Sequence, residues 1–219
     1  LDSLLCYGIS TASIKATYSG GTSPYDHYWL NELGVKQDSS TSIILLSDTL
    51  YNLSAGEYTF VLTDTNGCMV MDSLDILQPE EMQLFIQVDS NVSCQGANDA
   101  GVSFSLTGGT PLFNYNWFDS NNVIIDSLIA TANISGSIDS LKAGMHYLEV
   151  TDSFGCLKID SFVITEPFSL TDSLYISQVI LCNGDSNGAI SVDVSGGTSP
   201  YTYIWSDSSA IISSLDTFL

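Results

Sequence analysis

Residues 100–117 read Ala-Gly-Val-Ser-Phe-Ser-Leu-Thr-Gly-Gly-Thr-Pro-Leu-Phe-Asn-Tyr-Asn-Trp and contain the pattern that decides the fold. Apolar and polar side chains alternate over 102–106, before the Gly-Gly-Thr turn, and again over 113–117 after it. A period of two is typical of a half-buried β-strand, whose alternate side chains point to the same face. The stretch therefore predicts two strands joined by a turn, with three aromatic residues lining one face of the second strand.

The same stretch recurs every 88 residues without insertion or deletion. The step is kept by every landmark of the pattern: Trp29, Trp117 and Trp205; the Gly-Gly-Thr turns at 20–22, 108–110 and 196–198; Cys6, Cys94 and Cys182; Cys68 and Cys156; Pro79 and Pro167. A fixed long period indicates one module copied in tandem. We expect modules at 1–81, 82–169 and 170–219, the last being a first half only, within a longer array.

The remainder of each module also predicts short strands separated by turns. Alternating runs around Tyr58 and His146 end in the turns at 63–68 and 151–156, which place Gly where a positive φ is needed. A last strand leads to the proline near the end of each module, which suits a strand exit. No segment shows a helical period. About seven strands in 88 residues predict an all-β chain of tandem immunoglobulin-like antiparallel β-sandwiches, stiffly coupled by short linkers.

The composition excludes several classes of partner. The chain has 25 acidic residues against four Lys and no Arg, for a formal net charge of −21. Nucleic acid and anionic membranes need clustered cations, so neither is expected to bind. No run of 18 apolar residues exists, so no membrane insertion is expected within these residues. We expect neighbouring repeats of the same chain as the main partners, with lateral copies or surface glycans as further ones.

The cysteines predict disulfides and therefore an oxidising, extracellular compartment. Cys6 and Cys68 are 62 residues apart, as are Cys94 and Cys156. The equal gaps favour pairing within modules, Cys6–Cys68 and Cys94–Cys156, with the partner of Cys182 beyond residue 219. Pairing between modules, Cys68–Cys94 and Cys156–Cys182, is the alternative.

The combined motifs of one module are similar to a known family. They are C-x-G-x4-G at 94–101, G-G-T-x-P-Y followed by x-Y-x-W at 196–205, L-x-A-G at 53–56, and T-D-x-x-G-C at 63–68 and 151–156. This combination resembles the SprB-type repeat of giant cell-surface adhesins in gliding bacteria of the Bacteroidetes. The resemblance implies a secreted, surface-attached, repetitive protein, exported by the system that also serves gliding motility, and it does not imply a catalytic activity.

Asp-Ser/Thr-Leu tripeptides occur more often than composition alone predicts. They resemble the O-glycosylation acceptor of exported proteins in the same bacterial group, which would make the chain a glycoprotein. The alternative is that Asp-Ser marks the ends of strands. The candidate acceptors are Ser3, Thr49, Ser73, Ser127, Ser140 and Ser173.

Neither a metal site nor a catalytic site is well supported by the motifs. Asp64, Asp99 and Asp185 lie in acid-rich turns that offer oxygen ligands for Ca²⁺, but none matches a known calcium loop and Asx turns explain them equally. His27 and His146 each replace an aromatic residue of another copy, so we interpret them as packed rings. No nucleophile with an acid–base set is present. We therefore expect no cofactor and no enzymatic activity.

These inferences together predict a non-enzymatic extracellular stalk of a repetitive cell-surface adhesin or surface filament. The alternative is an immunoglobulin-like module of a secreted protein that binds carbohydrate or a partner through loops at one pole. Exposed loops that differ between copies favour the stalk, because a repeated binding site would repeat its loops.

Overall fold

The computed structural model describes residues 3–206 and the backbone of 211–218, and every element in this part of the chain is a β-strand. Module 1 contains β1 (Ala12–Thr17), β2 (Tyr25–Asn31), β3 (Lys36–Ile43), β4 (Ser47–Leu53), β5 (Gly56–Asp64) and β6 (Met69–Ile76). Module 2 contains β7 (Gln83–Ser90), β8 (Ala100–Thr107), β9 (Phe113–Phe118), β10 (Ile124–Thr131), β11 (Ser135–Leu141), β12 (Gly144–Thr151) and β13 (Leu157–Ile164). Module 3 contains β14 (Thr171–Gln178), β15 (Ala189–Ser195), β16 (Tyr201–Ser206) and β17 (Ile211–Phe218).

Module 2 is a complete two-sheet sandwich. A three-stranded sheet of order β11-β8-β7 faces a four-stranded sheet of order β10-β9-β12-β13, and all pairs are antiparallel. Module 1 repeats this arrangement, with β3-β2-β5-β6 as one sheet and β1-β4 as the other. The predicted all-β, immunoglobulin-like sandwich is confirmed.

The core of each sandwich is built by the alternation that the sequence shows. In β9 the three aromatic residues Phe113, Tyr115 and Trp117 are all buried, and the residues between them are half-buried. Trp29 is likewise buried in module 1, with 2% of its surface exposed, and packs on Phe60 at 4.6 Å between ring centroids. Trp29 and Trp117 are therefore core residues of their sandwiches, on the strand face that the alternation predicted.

The two ends of each module have different roles, and we name them by chain direction. The N-pole carries two loops: the Gly-Gly turn (20–24, 108–112 and 196–200) and the hairpin that ends in cysteine (64–68 and 152–156). The C-pole carries the turn before β1, β8 and β15 (3–11, 91–99 and 179–188), here called the C-pole turn, and the exit of the last strand. Because the linkers are short, the C-pole of one module meets the N-pole of the next.

In the described part of the chain, no helix has the length and hydropathy that a membrane span requires.

Candidate functional site: the junction between modules

The linker between modules 1 and 2 is docked onto the Gly-Gly turn of module 2. The backbone N–H of Gly109 donates to the carbonyl oxygen of Glu80 at 3.0 Å. At Gly108, a Cβ atom would lie 2.0 Å from the carbonyl oxygen of Glu81, and its φ is +69°. Only glycine tolerates both that φ and so close a backbone. The two glycines are therefore a docking surface for the linker.

The junction between modules 2 and 3 repeats this contact. The N–H of Gly197 donates to the carbonyl oxygen of Phe168 at 2.8 Å, and a Cβ at Gly196 would lie 1.9 Å from the carbonyl oxygen of Ser169. In module 1, a Cβ at Gly20 would meet no atom of the described residues within 4 Å, so no linker residue of this sequence lies on its Gly-Gly turn. The docking thus accompanies the presence of a preceding linker.

One carboxylate organises the N-pole hairpin. Asp152 Oδ1 accepts the backbone N–H groups of Phe154 and Cys156, each at 2.9 Å, and Oδ2 accepts that of Thr110 at 3.0 Å. The side chain thereby closes the hairpin and ties it to the Gly-Gly turn. Asp152 is 3% exposed, and its burial is tolerated because both oxygens are hydrogen-bonded.

Module 1 builds the same hairpin around Asp64. Its carboxylate accepts the N–H groups of Cys68, Thr22 and Asn66 at 2.9, 3.0 and 2.9 Å. These donors, Cys68 foremost, hold the pKa of the Asp64 carboxyl below its ordinary value. Asp64 is half-exposed, and no other module of this sequence covers its pole. The hairpin therefore forms whether or not a neighbour is docked on it.

The C-pole turn is held just as firmly to the strand exit. The N–H of Gly8 donates to Gln78 Oε1 at 2.8 Å, and the N–H of Gly96 donates to Glu166 Oε2 at 2.7 Å. These two bonds are equivalent in the 88-residue repeat. Each fixes the C-pole cysteine, Cys6 or Cys94, beside the start of the linker.

A disulfide joins the two poles across the junction: Cys6 of module 1 pairs with Cys156 of module 2, with 5.6 Å between their Cα atoms. Cys68, Cys94 and Cys182 are free and exposed. The expected pairings within modules, Cys6–Cys68 and Cys94–Cys156, are wrong. The alternative, Cys68–Cys94 with Cys156–Cys182, is wrong as well. A disulfide is nevertheless present, as the cysteine spacing predicted.

The physical reason is the distance between poles. Cys94 lies in the C-pole turn and Cys156 in the N-pole hairpin of the same module, and β12 runs between those ends with eight residues. At about 3.3 Å per residue the strand separates them by roughly 26 Å, whereas a disulfide needs Cα atoms within about 7 Å. The equal gap of 62 residues records copying of the module and does not indicate contact.

A crevice of about 390 Å³ lies at this junction. It is lined by both cysteines of the disulfide, by the linker residues Glu80, Glu81 and Met82, and by Asp152. Met82 is 7% exposed and belongs to the core of module 2. The linker is thus part of the packed structure on its downstream side.

The calcium candidates are engaged in local turns. Asp64 bonds to backbone N–H groups as described. Asp99 accepts the N–H of Ser93 at 3.0 Å, and hydrogen bonds from the side chain and then the backbone of Ser93 lower the pKa of the Asp99 carboxyl. Asp185 donates its own N–H to the carbonyl oxygen of Cys182 at 3.2 Å. Among the residues that the structure describes, no three His, Cys, Asp or Glu side chains converge as metal ligands do.

Both histidines are packed rings. His146 is 5% exposed, stacks on Phe162 at 5.5 Å, and places Nε2 3.0 Å from the carbonyl oxygen of Lys142. His27 is 3% exposed and lies 5.2 Å from the Phe60 ring. The interpretation of these residues as core rings is confirmed.

Sequence reasoning missed one buried polar cluster in module 1. Asp48 Oδ2 accepts the indole N–H of Trp29 at 2.7 Å and lies 3.0 Å from His27 Nε2. An alignment of the two modules contains the signal that could have revealed this pair. Module 2 has Tyr115 and Gly136 at the positions where module 1 has His27 and Asp48, so both residues of the pair differ between the copies. The two differences occur together because the carboxylate faces the imidazole.

The glycosylation candidates lie mainly on edge strands. Ser73 is on β6 and Ser127 is on β10, each an outer strand of its four-stranded sheet, and Ser140 is on β11, an outer strand of its three-stranded sheet. Five of the six are exposed and Thr49 is half-buried. Candidates in the described residues are Ser3, Thr49, Ser73, Ser127, Ser140 and Ser173.

Several of these edge strands carry Asp-Ser pairs with a common structure. The aspartate of each pair accepts the N–H of the following serine, at 3.0 Å for Asp72 and at 2.8 Å for Asp38, Asp126 and Asp160. A charge placed beside the edge and a donor already satisfied both oppose pairing with another sheet. Asp-Ser therefore has a structural role that does not depend on the following leucine.

The chain was compared with known proteins. The SprB repeat family matches residues 2–34 and 177–210. None of the curated proteins matches the chain. Similar solved structures include a BSP domain of a biofilm associated protein, at 17% identity and a TM-score of 0.27, covering 71% of this chain and 27% of that one. Another is a tetra-tandem repeat in the extending region of a large adhesion protein, at 18% identity, a TM-score of 0.30, and coverage of 88% and 54%.

A further similar structure is a two-domain fibronectin type III segment from chicken tenascin, at 8% identity and a TM-score of 0.29, covering 71% of this chain and 94% of that one. These TM-scores are low, and the fold assignment rests on the strand order of module 2. The two matches to the SprB repeat, by contrast, end at equivalent places two modules apart, at residues 34 and 210. Parts of the first and third modules are therefore similar to the SprB repeat, as the motifs predicted.

Proposed function

We propose that the chain is part of a non-enzymatic, extracellular stalk of a repetitive cell-surface adhesin or surface filament. The observation that carries this proposal is the junction, where a disulfide and docked linker backbone hold one module to the next. A stalk needs modules that keep their relative orientation under load. An enzyme or an isolated binding domain has no such need.

When the chain is stretched, the disulfide transmits the force and the residues between its two cysteines do not. Force entering at the N-terminus passes from Cys6 directly to Cys156, so the 150-residue separation between them carries no load. That segment contains β1 to β6 of module 1 and β7 to β12 of module 2. This disulfide, here called the clasp, thus protects most of the hydrophobic cores of modules 1 and 2 from unfolding under force.

Single-molecule stretching of residues 1–219 between its termini tests this role. In the oxidised chain we expect no unfolding step from the shielded segment. After reduction, 150 released residues add on the order of 500 Å of contour length, at about 3.5 Å per residue. An oxidised chain that lengthens as far as the reduced one would overturn the load-bearing role.

The acidic surface of the chain supports the same function. A formal net charge of −21 makes parallel stalks repel one another, and the Asp-Ser pairs protect sheet edges. We propose that glycans on the exposed Asp-Ser/Thr-Leu sites add to this separation. Site mapping by mass spectrometry on protein from the native host tests this proposal. If all six peptides are unmodified, glycans are absent and the carboxylates alone keep the sheet edges of neighbouring stalks apart.

The alternative of a glycan- or partner-binding module is less well supported. The N-pole loops, which would present such a site, are covered in module 2 by the linker and by the disulfide. Asp152 at their centre is 3% exposed. Glycan-array binding by residues 1–219 that is lost on changing N-pole loop residues would favour this alternative.

A further inference from the structure

The disulfide between Cys6 and Cys156 uses one cysteine from each of two repeated positions. Cys6 is the C-pole cysteine of its module, and Cys94 and Cys182 occupy the same position 88 and 176 residues later. Cys156 is the N-pole cysteine of its module, and Cys68 occupies that position 88 residues earlier. The three free cysteines are therefore copies of the two halves of the observed bond.

We propose that every junction in such an array is closed by this same clasp, between residues 150 apart. Cys94 pairs with the N-pole cysteine of the module that follows it, and Cys68 with the C-pole cysteine of the module that precedes it. Cys182 behaves as Cys94 does. The inference rests on the proposed stalk function and deepens it, because it extends the one observed disulfide to every junction of the stalk.

Both halves of the clasp are already held in place when the partner is absent. The turn at Cys94 is fixed by the bond from Gly96 to Glu166, as the turn at Cys6 is fixed by the bond from Gly8 to Gln78. The φ angles of the two glycines agree, at 75° and 74°. A thiol placed in this way loses little freedom on pairing, which favours one partner over others.

The N-pole half is prepared to the same degree. The N–H groups of Cys68 and Cys156 each donate to the aspartate of their hairpin at 2.9 Å. Docking of the linker then brings the poles together, and this docking is present at the junction of modules 2 and 3. Module 3 contains the Gly-Gly turn there, whereas its N-pole hairpin is not part of this sequence.

Clasp formation is a two-electron oxidation. A disulfide donor, such as oxidised glutathione, exchanges with the two thiols. One S–S bond forms in the protein, the S–S bond of the donor breaks, and the two thiol protons end on the two donor sulfurs. The extracellular compartment proposed above supplies such donors.

A seamless fusion of two copies of residues 1–176 tests the proposal, because 176 is twice the 88-residue period. At the seam, Cys94 of the first copy and Cys68 of the second are 150 residues apart (176 + 68 − 94 = 150). The fusion is folded in a glutathione redox buffer and mapped by peptide mass spectrometry without reduction. We expect a Cys94–Cys68 peptide across the seam, two Cys6–Cys156 peptides, and two free thiols.

Matched variants distinguish loss of the disulfide from any other effect of replacing a cysteine. Cys68→Ser in the second copy releases the thiol of Cys94, whereas Cys68→Ser in the first copy changes no linkage. Labelling of Cys94 by a thiol reagent is complete in residues 1–219. In the fusion, Cys94 of the first copy is paired and Cys94 of the second copy is free, so total labelling at this position falls by about half, since a paired sulfur presents no thiolate. The unfused chain also serves as a reference in which Cys68, Cys94 and Cys182 are labelled and Cys6 and Cys156 are not.

A Cys94–Cys156 peptide in the folded fusion would overturn the proposal, as would a Cys94–Cys68 peptide that persists when Cys68 of the second copy is changed to Ser, or Cys94 that stays fully labelled in both copies. Labelling of Cys6 and Cys156 in residues 1–219 would overturn its premise without use of the fusion. Failure of the clasp to repeat leaves the stalk function standing, because stretching of residues 1–219 tests that function separately.

Discussion

The N-poles of modules 1 and 2 have the same motifs but different surroundings. Each pole has a Gly-Gly-Thr turn tied by an aspartate to a cysteine hairpin, with nearly identical hydrogen-bond lengths. In module 2 the linker and the preceding module cover this pole, so Asp152 is buried and Cys156 is oxidised. In module 1 Asp64 is half-exposed and Cys68 is a free thiol.

This comparison separates what a module builds alone from what its neighbour adds. The loops keep their conformation in both settings, so their hydrogen bonds are intrinsic to the module. Burial, linker contact and the disulfide appear only where a neighbour is present. Pairs of equivalent substitutions in the two modules can therefore measure the contribution of the junction directly.

The largest difference is expected for the cysteines. Cys156→Ser opens a loop of 150 residues, which in the chain-entropy model lowers the free energy of unfolding of modules 1 and 2 together by about 5 kcal/mol. Cys68→Ser removes a free thiol and leaves the denaturation midpoint unchanged. Guanidinium denaturation of both variants under oxidising conditions checks this. Equal midpoints for the two variants would contradict a stabilising clasp.

The aspartates should differ next. Asp152→Ala leaves three backbone N–H groups without their acceptor in a buried setting, at a loss of about 3 kcal/mol in the free energy of unfolding. Asp64→Ala removes the same bonds where water replaces them, so its effect is smaller. Thermal denaturation measures both, and a larger effect at Asp64 would refute the role assigned to the neighbour.

The first glycine of the Gly-Gly turn provides a third matched pair. Alanine at Gly20 or Gly108 is strained by the positive φ, at about 1–2 kcal/mol in each case. Only at Gly108 does the new Cβ also meet the linker, so we expect roughly 2 kcal/mol of further destabilisation there. Gly196→Ala should behave as Gly108→Ala does. Similar melting temperatures for Gly20→Ala and Gly108→Ala would show that linker docking contributes little.

The smallest effect concerns acid. The pKa of Asp64 is lowered in the folded protein, so its carboxylate contributes stability above its unfolded-state pKa. That contribution is lost as the pH falls through the lower folded-state pKa. The difference in stability between the parent chain and Asp64→Asn should therefore shrink in acid. An NMR titration of the Asp64 carboxyl checks the premise, and a pKa at or above the ordinary value contradicts it.

The fold was largely predictable because its signals are local. Alternation over 102–106 and 113–117 sets which face of each strand is buried, and a single slip of register would expose Trp117. The positive φ of Gly67 and Gly155 followed from their place in a tight turn. Such features depend on near neighbours in the chain, which the sequence states directly.

The polar cluster of module 1 was less accessible. His27 and Asp48 are 21 residues apart in sequence (48 − 27 = 21), and their contact depends on which strands oppose each other across the core. One pair of copies, with Tyr115 and Gly136 in module 2, offered the only comparison. Without the opposing strands in view, the aspartate is indistinguishable from the many surface acids.

The sequence by itself determined the module: its length, its strands, its core and the presence of a disulfide. Only the tertiary structure decided the partner of each cysteine, because pairing depends on the direction in which each loop leaves the sandwich. The repeat brings Cys6 and Cys68 to opposite poles of one module and brings Cys6 to Cys156 across a junction. The distance between two cysteines is set by how the modules stack, and the spacing of the cysteines in the sequence does not contain that information.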